Sequence, residues 1–293
     1  MDNSLSNKVL DRFIDASRLI MAGEFDQASK LSPVTEMECT SEKLSEFSES
    51  FALMAVKLEA REFALENTIS ELKNQVLLRE RFSFIFINFL LFLSTYIILF
   101  AFIPKQYFHS DIVSIVLEIV FLMSIATYIL KFKLSFSGFG LNMGNLKRTL
   151  LETVVVAIIL VGVLSIVKVF MVKNKIYFQE DRFFEFQCLN WSYASYIITA
   201  PLQEFMARGI VQNSIEHVLT GKSKWFWAIL LTSLLFGVYH TFFSLKLAML
   251  SIAISIVLGY LFIRHRNIIG ISILHFVAGN FAGVLGLWDY IIK

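Results

Sequence analysis

Two patterns of hydrophobic and polar positions divide this chain. Between residues 44 and 80, apolar residues recur every seven positions at Phe51, Leu58, Leu65 and Leu72, with a second row at Ala55, Glu62, Ile69 and Val76. That is an a/d seam with one polar break, free of Gly and Pro, and it predicts a coiled-coil helix. From residue 82 onward the period gives way to continuous apolar runs near 82–103, 111–131, 150–172, 192–215, 225–243, 246–263 and 268–287. A hydrocarbon core about 30 Å thick needs about 20 apolar residues at a rise of about 1.5 Å each. The last four runs are closely spaced, so their boundaries are soft. The expected fold class is all-α: a polytopic membrane helix bundle of about seven spans behind an N-terminal cytoplasmic helical or coiled-coil arm.

Three regions follow: the arm (1–81), the first two spans with an amphipathic connector (82–149), and a membrane core (150–293). The connector Lys133–Arg148 carries Phe136, Phe139, Leu141 and Leu146, ends in Lys147 and Arg148, and is expected to lie on the cytoplasmic surface. The first residues are polar and lack an apolar signal core, so the first span is expected to act as an internal signal-anchor. With the N-terminus inside, Arg79, Arg81, Lys131, Lys133, Lys147, Arg148, Lys222, Lys224, Arg264 and Arg266 fall on the cytoplasmic side. Lys105, Lys173, Lys175, Arg182, Lys246 and Lys293 fall outside. That bias predicts a multi-pass protein of the plasma (inner) membrane with its N-terminus in the cytoplasm.

Composition sharpens the division. Residues 1–81 hold 15 of the 24 acidic residues, whereas the whole chain is 56% hydrophobic and 17% charged. A wholly soluble enzyme, a disordered chain and a collagen-like chain are excluded. Cys39 and Cys188 are too few for a disulfide framework. A net charge of +2 with no basic stripe gives no footprint for nucleic acid. The expected partners are membrane lipid, a hydrophobic peptide or membrane-protein substrate, and a second copy through the N-terminal helix. Around Leu19–Leu72, Gly23, Phe51, Met54 and Leu58 fit a pattern that resembles the HAMP linker of bacterial sensor proteins and its following signalling helix. An amphipathic helical hairpin that pairs with itself is the alternative.

Ionisable groups are expensive inside a bilayer, and each is a candidate functional position. They are Glu118, Glu152, Lys168, Glu204, Arg208, His240 and His275, while His109, His217 and His265 fall in predicted loops. Two histidines, a glutamate, an arginine and Asn280 gather on three helices close in sequence. Glu204 and Arg208 are four apart and stack on one helix face. An internal ion pair that neutralises two buried charges is the plain structural explanation. Pro201 removes a backbone donor beside them, and Gln203 lies about 100° round the helix from Glu204.

At these residues the sequence resembles the CPBP family, the type II CAAX prenyl protease-like (Abi domain) membrane proteins. That family carries Glu-Glu-x-x-x-Arg, Phe-x-x-x-His and His-x-x-x-Asn (or Asp) on successive spans. Here the motifs read Gln203-Glu204-x-x-x-Arg208, Phe236-x-x-x-His240 and His275-x-x-x-x-Asn280, the last with one residue too many. The resemblance covers about residues 150–287. It implies peptide hydrolysis within the membrane, on membrane-associated or prenylated-type substrates. Glu204 would activate a water with His240, while His275 and Asn280 stabilise the oxyanion; Gln203, Arg208 and Phe236 would support them.

Two departures leave alternatives open. The family's first glutamate, its usual base, is Gln203, and an amide is no base at neutral pH. Asn280 is displaced by about 100° unless a π-bulge at Gly279 restores it. The site is either rebuilt around Glu204, or belongs to a pseudoprotease acting as a membrane binding, immunity or signalling module. A transporter ranks below both, since the polar residues cluster in one half of the chain. The cofactor is left open: Glu204, His240 and His275 could hold zinc with an open position. There is no His-Glu-x-x-His, so a glutamate-only mechanism is placed ahead of a metal.

Overall fold

The computed structural model describes residues 3–30, 42–102, 110–142, 144, 146–176, 183–185 and 191–292. Cys39, Lys105, His109, Arg182, Cys188 and Lys293 lie outside the described residues. Among the described residues every regular element is helical and there is no strand. The chain forms two compact units, Met1–Leu77 and Leu78–Lys293.

The first unit holds α1 (Asn3–Met21), α2 (Phe25–Lys30) and the start of α3 (Glu42–Phe102). Gly23 turns the chain between α1 and α2 at a φ of +80°, a conformation that an L side chain resists. Ala16, Ala28 and Ala55 are buried, and the Phe13 ring meets Phe51 edge-on at 5.2 Å. The first positions of the predicted seam thus pack within the unit. Leu58, Leu65, Ile69, Leu72 and Val76 stay exposed along α3.

In the second unit all seven apolar runs fall on helices. They are the remainder of α3, α4 (Ser110–Lys131), α5 (Leu146–Lys173), α6 (Trp191–Glu204) with its continuation, α8 (Lys224–His240), α9 (Leu245–His265) and α10 (Ile268–Val284). Among the described residues three helices are long and apolar enough to cross a membrane: Glu49–Phe102, Leu146–Lys173 and Leu245–His265; Ile268–Val284 is apolar but shorter. The outward faces agree with lipid as solvent. Val154, Ile158, Ile159, Ile166 and Phe170 of α5 are all at least half exposed, an apolar surface that water would penalise.

α6 runs directly into a π-helical segment, Phe205–Gln212, followed by α7 (Asn213–Val218). Pro201 sits inside α6 and cannot donate to the helical ladder, so the wider winding begins one turn beyond it. Met206 through Gln212 are all buried. α11 (Leu287–Ile292) closes the chain.

In the connector Phe136 and Leu141 are exposed, while Phe139 turns inward. Phe139 is 1% exposed and packs on Phe82 in the aromatic core. A short 3-10 turn, Phe136–Phe139, is closed by Gly140 at a φ of +88°, and the Gly140 carbonyl accepts the Ile268 N–H at 3.0 Å. Asn213 Nδ2 donates to the Gly138 carbonyl at 3.0 Å, and Asn267 Nδ2 donates to the Asn142 carbonyl. These bonds hold the connector against the π segment and the start of α10.

Gly209 marks a close backbone approach between the connector and the π segment. A Cβ there would stand 2.7 Å from the Phe139 carbonyl oxygen, a backbone atom that cannot swing aside. Gly209→Ala is expected to destabilise the protein by about 1–3 kcal/mol. Chemical denaturation of the purified variant in mixed micelles measures it, and native stability would refute the close-approach argument.

Candidate active site

Glu204 ends α6 at the point where the winding widens, and its side chain is fully buried. Its Oε2 accepts from Arg208 Nε at 3.1 Å. The stacking expected from the four-residue spacing is realised, though through π rather than α winding. Arg208 is also fully buried, and each terminal nitrogen makes one bond: Nη2 donates to Ser255 Oγ at 2.7 Å and Nη1 to Gln212 Oε1 at 3.3 Å. Gln212 Nε2 in turn donates to the Gly259 carbonyl at 3.0 Å. Gly259 leaves room for this pair, since a Cβ there would stand 2.9 Å from Gln212 Oε1 and displace it.

The second oxygen of Glu204 faces α10. Oε1 lies 2.8 Å from His275 Nδ1, at ion-pair distance. Neither atom has a well-aligned hydrogen bond, so the pair is in contact but off the ideal angle. A carboxylate oxygen can only accept, which assigns the proton of a neutral His275 to Nδ1. Nε2 is then the acceptor, and the Tyr196 hydroxyl of α6 lies 2.7 Å from it.

His240 is placed beside this pair by α8. Its Nδ1 lies 2.7 Å from the Phe236 carbonyl, which requires an N–H there and leaves Nε2 free of the proton. The Phe236 ring joins the two histidines, 4.6 Å from the His240 ring and 5.8 Å from the His275 ring. It also lies 5.8 Å under the Arg208 guanidinium. Glu204, Arg208, Phe236, His240 and His275 thus meet in one place.

Gln203 lines a separate space, a cavity of 20 Å³ shared with Phe89, Met206, Thr232, Phe236 and Tyr239. Gln203 Oε1 and Thr232 Oγ1 are buried without a hydrogen-bond partner. The surface that lines this space is apolar, so neither atom finds a water partner in it.

Asn280 stands differently from expectation. α10 is regular from Ile268 to Val284, with no π-bulge at Gly279. The fourth position after His275 is therefore Gly279, and Asn280 lies about 100° further round the helix. Gly279 is small because Tyr196 occupies the space beside it: a Cβ would stand 2.5 Å from Tyr196 Cε1. Trp288 Nε1 donates to the Gly279 carbonyl at 2.8 Å, fixing that part of the helix further.

A metal fits poorly. Among the described residues no group of three or more His, Cys, Asp and Glu is placed to hold an ion. Both Glu204 oxygens face cationic or N–H partners, and the Phe236 carbonyl takes one nitrogen of His240. No step is derived through a metal.

Sequence reasoning missed Tyr196, Gln212 and Ser255. Gln212 repeats the four-residue step from Arg208, and Gly279 at the fourth position after His275 marks a close approach; these were the available signals. Ser255 had none, being one of several small residues along α9.

No curated protein and no solved structure matches the chain. Residues 186–281, which contain Tyr196 and the whole Gln203–Asn280 constellation, match the family model described as type II CAAX prenyl endopeptidase Rce1-like, the family that the three motifs resemble.

Proposed function

We propose that the protein is a membrane-embedded endopeptidase whose base is Glu204. The observation that carries this reading is the division of the Glu204 oxygens, one held by Arg208 and the other facing His275. A carboxylate has about four lone-pair sites. Arg208 takes one and His275 faces another, so Glu204 keeps the capacity to accept from a water. His240 Nε2, unprotonated, is a second acceptor for that water. Glu204 takes the water proton as the oxygen attacks the peptide carbonyl, and returns a proton to the leaving amine as the C–N bond breaks. Burial away from water strengthens each of these interactions.

The substrate expected from the family match is a membrane-associated peptide, prenylated or otherwise hydrophobic. Incubation of the native protein in detergent with farnesylated and unmodified hydrophobic peptides tests this, with cleavage followed by mass spectrometry. Lys222→Ala, remote from the motifs, serves as a control that keeps activity. The second reading, a binding or signalling module without turnover, rests on Gln203 in the usual place of the base. Clear turnover by the native protein removes it; no cleavage of either peptide class favours it.

The arm supplies the proposed self-association. Leu58, Leu65 and Leu72 keep heptad spacing and remain exposed on α3, and Leu65 and Leu72 are each 60% exposed. A second copy aligned in parallel would cover this seam. Native full-length protein is expected to run as a dimer in detergent by light scattering, and Leu65→Glu/Leu72→Glu as a monomer. An unchanged mass for the double variant would refute the seam.

A further inference from the structure

We infer that Tyr196 is a catalytic residue that donates its phenol O–H to the developing oxyanion, an inference that rests on the proteolytic reading above. A neutral His275 has one N–H, and Glu204 Oε1 at 2.8 Å faces the nitrogen that bears it. Nε2 is then an acceptor and has no proton to give an oxyanion. The proton at that end of the ring belongs to Tyr196, whose hydroxyl lies 2.7 Å away. The Tyr196 and His275 rings meet edge-on with centroids 5.5 Å apart, so the phenol reaches the imidazole along its edge. Tyr196 is partly exposed, unlike the fully buried Glu204 and Arg208.

The space has been made for this ring. Gly279 shares the helix face of His275, and any side chain there would collide with Tyr196. The Phe276 ring stacks on Tyr196 from the next position at 6.3 Å. The tyrosine is therefore held by packing on α10, and its hydroxyl is aimed by His275. When negative charge develops on the scissile carbonyl oxygen, the O–H turns about the C–O bond from Nε2 to that oxygen. No covalent bond changes at Tyr196. If His275 carries a second proton, its Nε2–H donates to the phenol oxygen and the same O–H already points outward. In both protonation states the tyrosine is the terminal donor.

Tyr196→Phe keeps the ring and removes only the donor. With native cleavage established, this variant is expected to lower kcat by about 10²- to 10³-fold with KM unchanged. Tyr196→Ala/Gly279→Asn carries an amide at the fourth position after His275, in the space that the ring vacated. It is expected to exceed Tyr196→Ala by at least about tenfold in kcat, because an amide N–H can take over the donor role. A purely structural tyrosine would tolerate Phe and would gain nothing from the asparagine. Native-like kcat in Tyr196→Phe, or no gain in the double variant, overturns the inference while leaving the protease reading intact. A native protein that cuts neither peptide class overturns the protease reading, and the inference with it.

Discussion

Glu204→Gln is expected to reduce peptide cleavage by about 10²- to 10⁴-fold, the range that a positioned general base supplies. The amide matches the carboxylate in size, so the packing around it is kept. It cannot take the water proton, and it no longer attracts the imidazole N–H of His275 as an anion does. The loss should fall on kcat more than on KM, because the proton transfer belongs to the transition state. Initial rates over a range of peptide concentrations separate the two. A variant that retains native kcat would transfer the base role away from Glu204 and leave the buried ion pair as its whole purpose.

That ion pair is the subject of the second large effect. Arg208 and Glu204 are both fully buried, and removing one partner leaves the other charged with no counterion. Arg208→Met is expected to destabilise the protein by about 3–5 kcal/mol. The loss also orphans Ser255 Oγ and Gln212 Oε1, whose donors come from the guanidinium. Combining Arg208→Met with Glu204→Gln removes both charges. The double variant should recover a large part of the stability, because a buried pair replaced by neutral groups of similar volume is often neutral. It should recover no activity. Denaturation in mixed micelles and the cleavage assay, run on all four members of the cycle, separate the structural role of the pair from the chemical one. Equal stability of native protein and Arg208→Met would contradict the buried-pair argument.

Much of the molecule was legible from the order of its residues. Seven apolar runs became helical elements because any backbone N–H or C=O in lipid must be satisfied inside its own segment. The scarcity of charge within those runs isolated Glu204, Arg208, His240 and His275, since an ionisable group in an apolar helix needs a reason to be there. A four-residue step from Glu204 to Arg208 implied their contact. The connector was legible in part. Phe136 and Leu141 are exposed as a surface-lying stripe requires, whereas Phe139 is buried where the Gly138 and Gly140 carbonyls find donors on Asn213 and Ile268.

Asn280 and Tyr196 show where one-dimensional reading stopped. Spacing along α10 shows that Asn280 leaves the face of His275, but not what replaces it. Tyr196 lies 79 positions before His275, and no local period links the two. The hydrophobic pattern and the few buried charges determined the class of fold, the membrane setting and the set of polar residues that could share a site, because the cost of burying polar groups acts on each helix separately. Tertiary packing alone decided that the second Glu204 oxygen faces His275, that Gln203 lines a cavity apart from Glu204, and that Tyr196 fills the gap at Gly279. Those outcomes depend on which helix faces meet and on spaces a single Cβ would close, and such distances exist only once the helices are assembled.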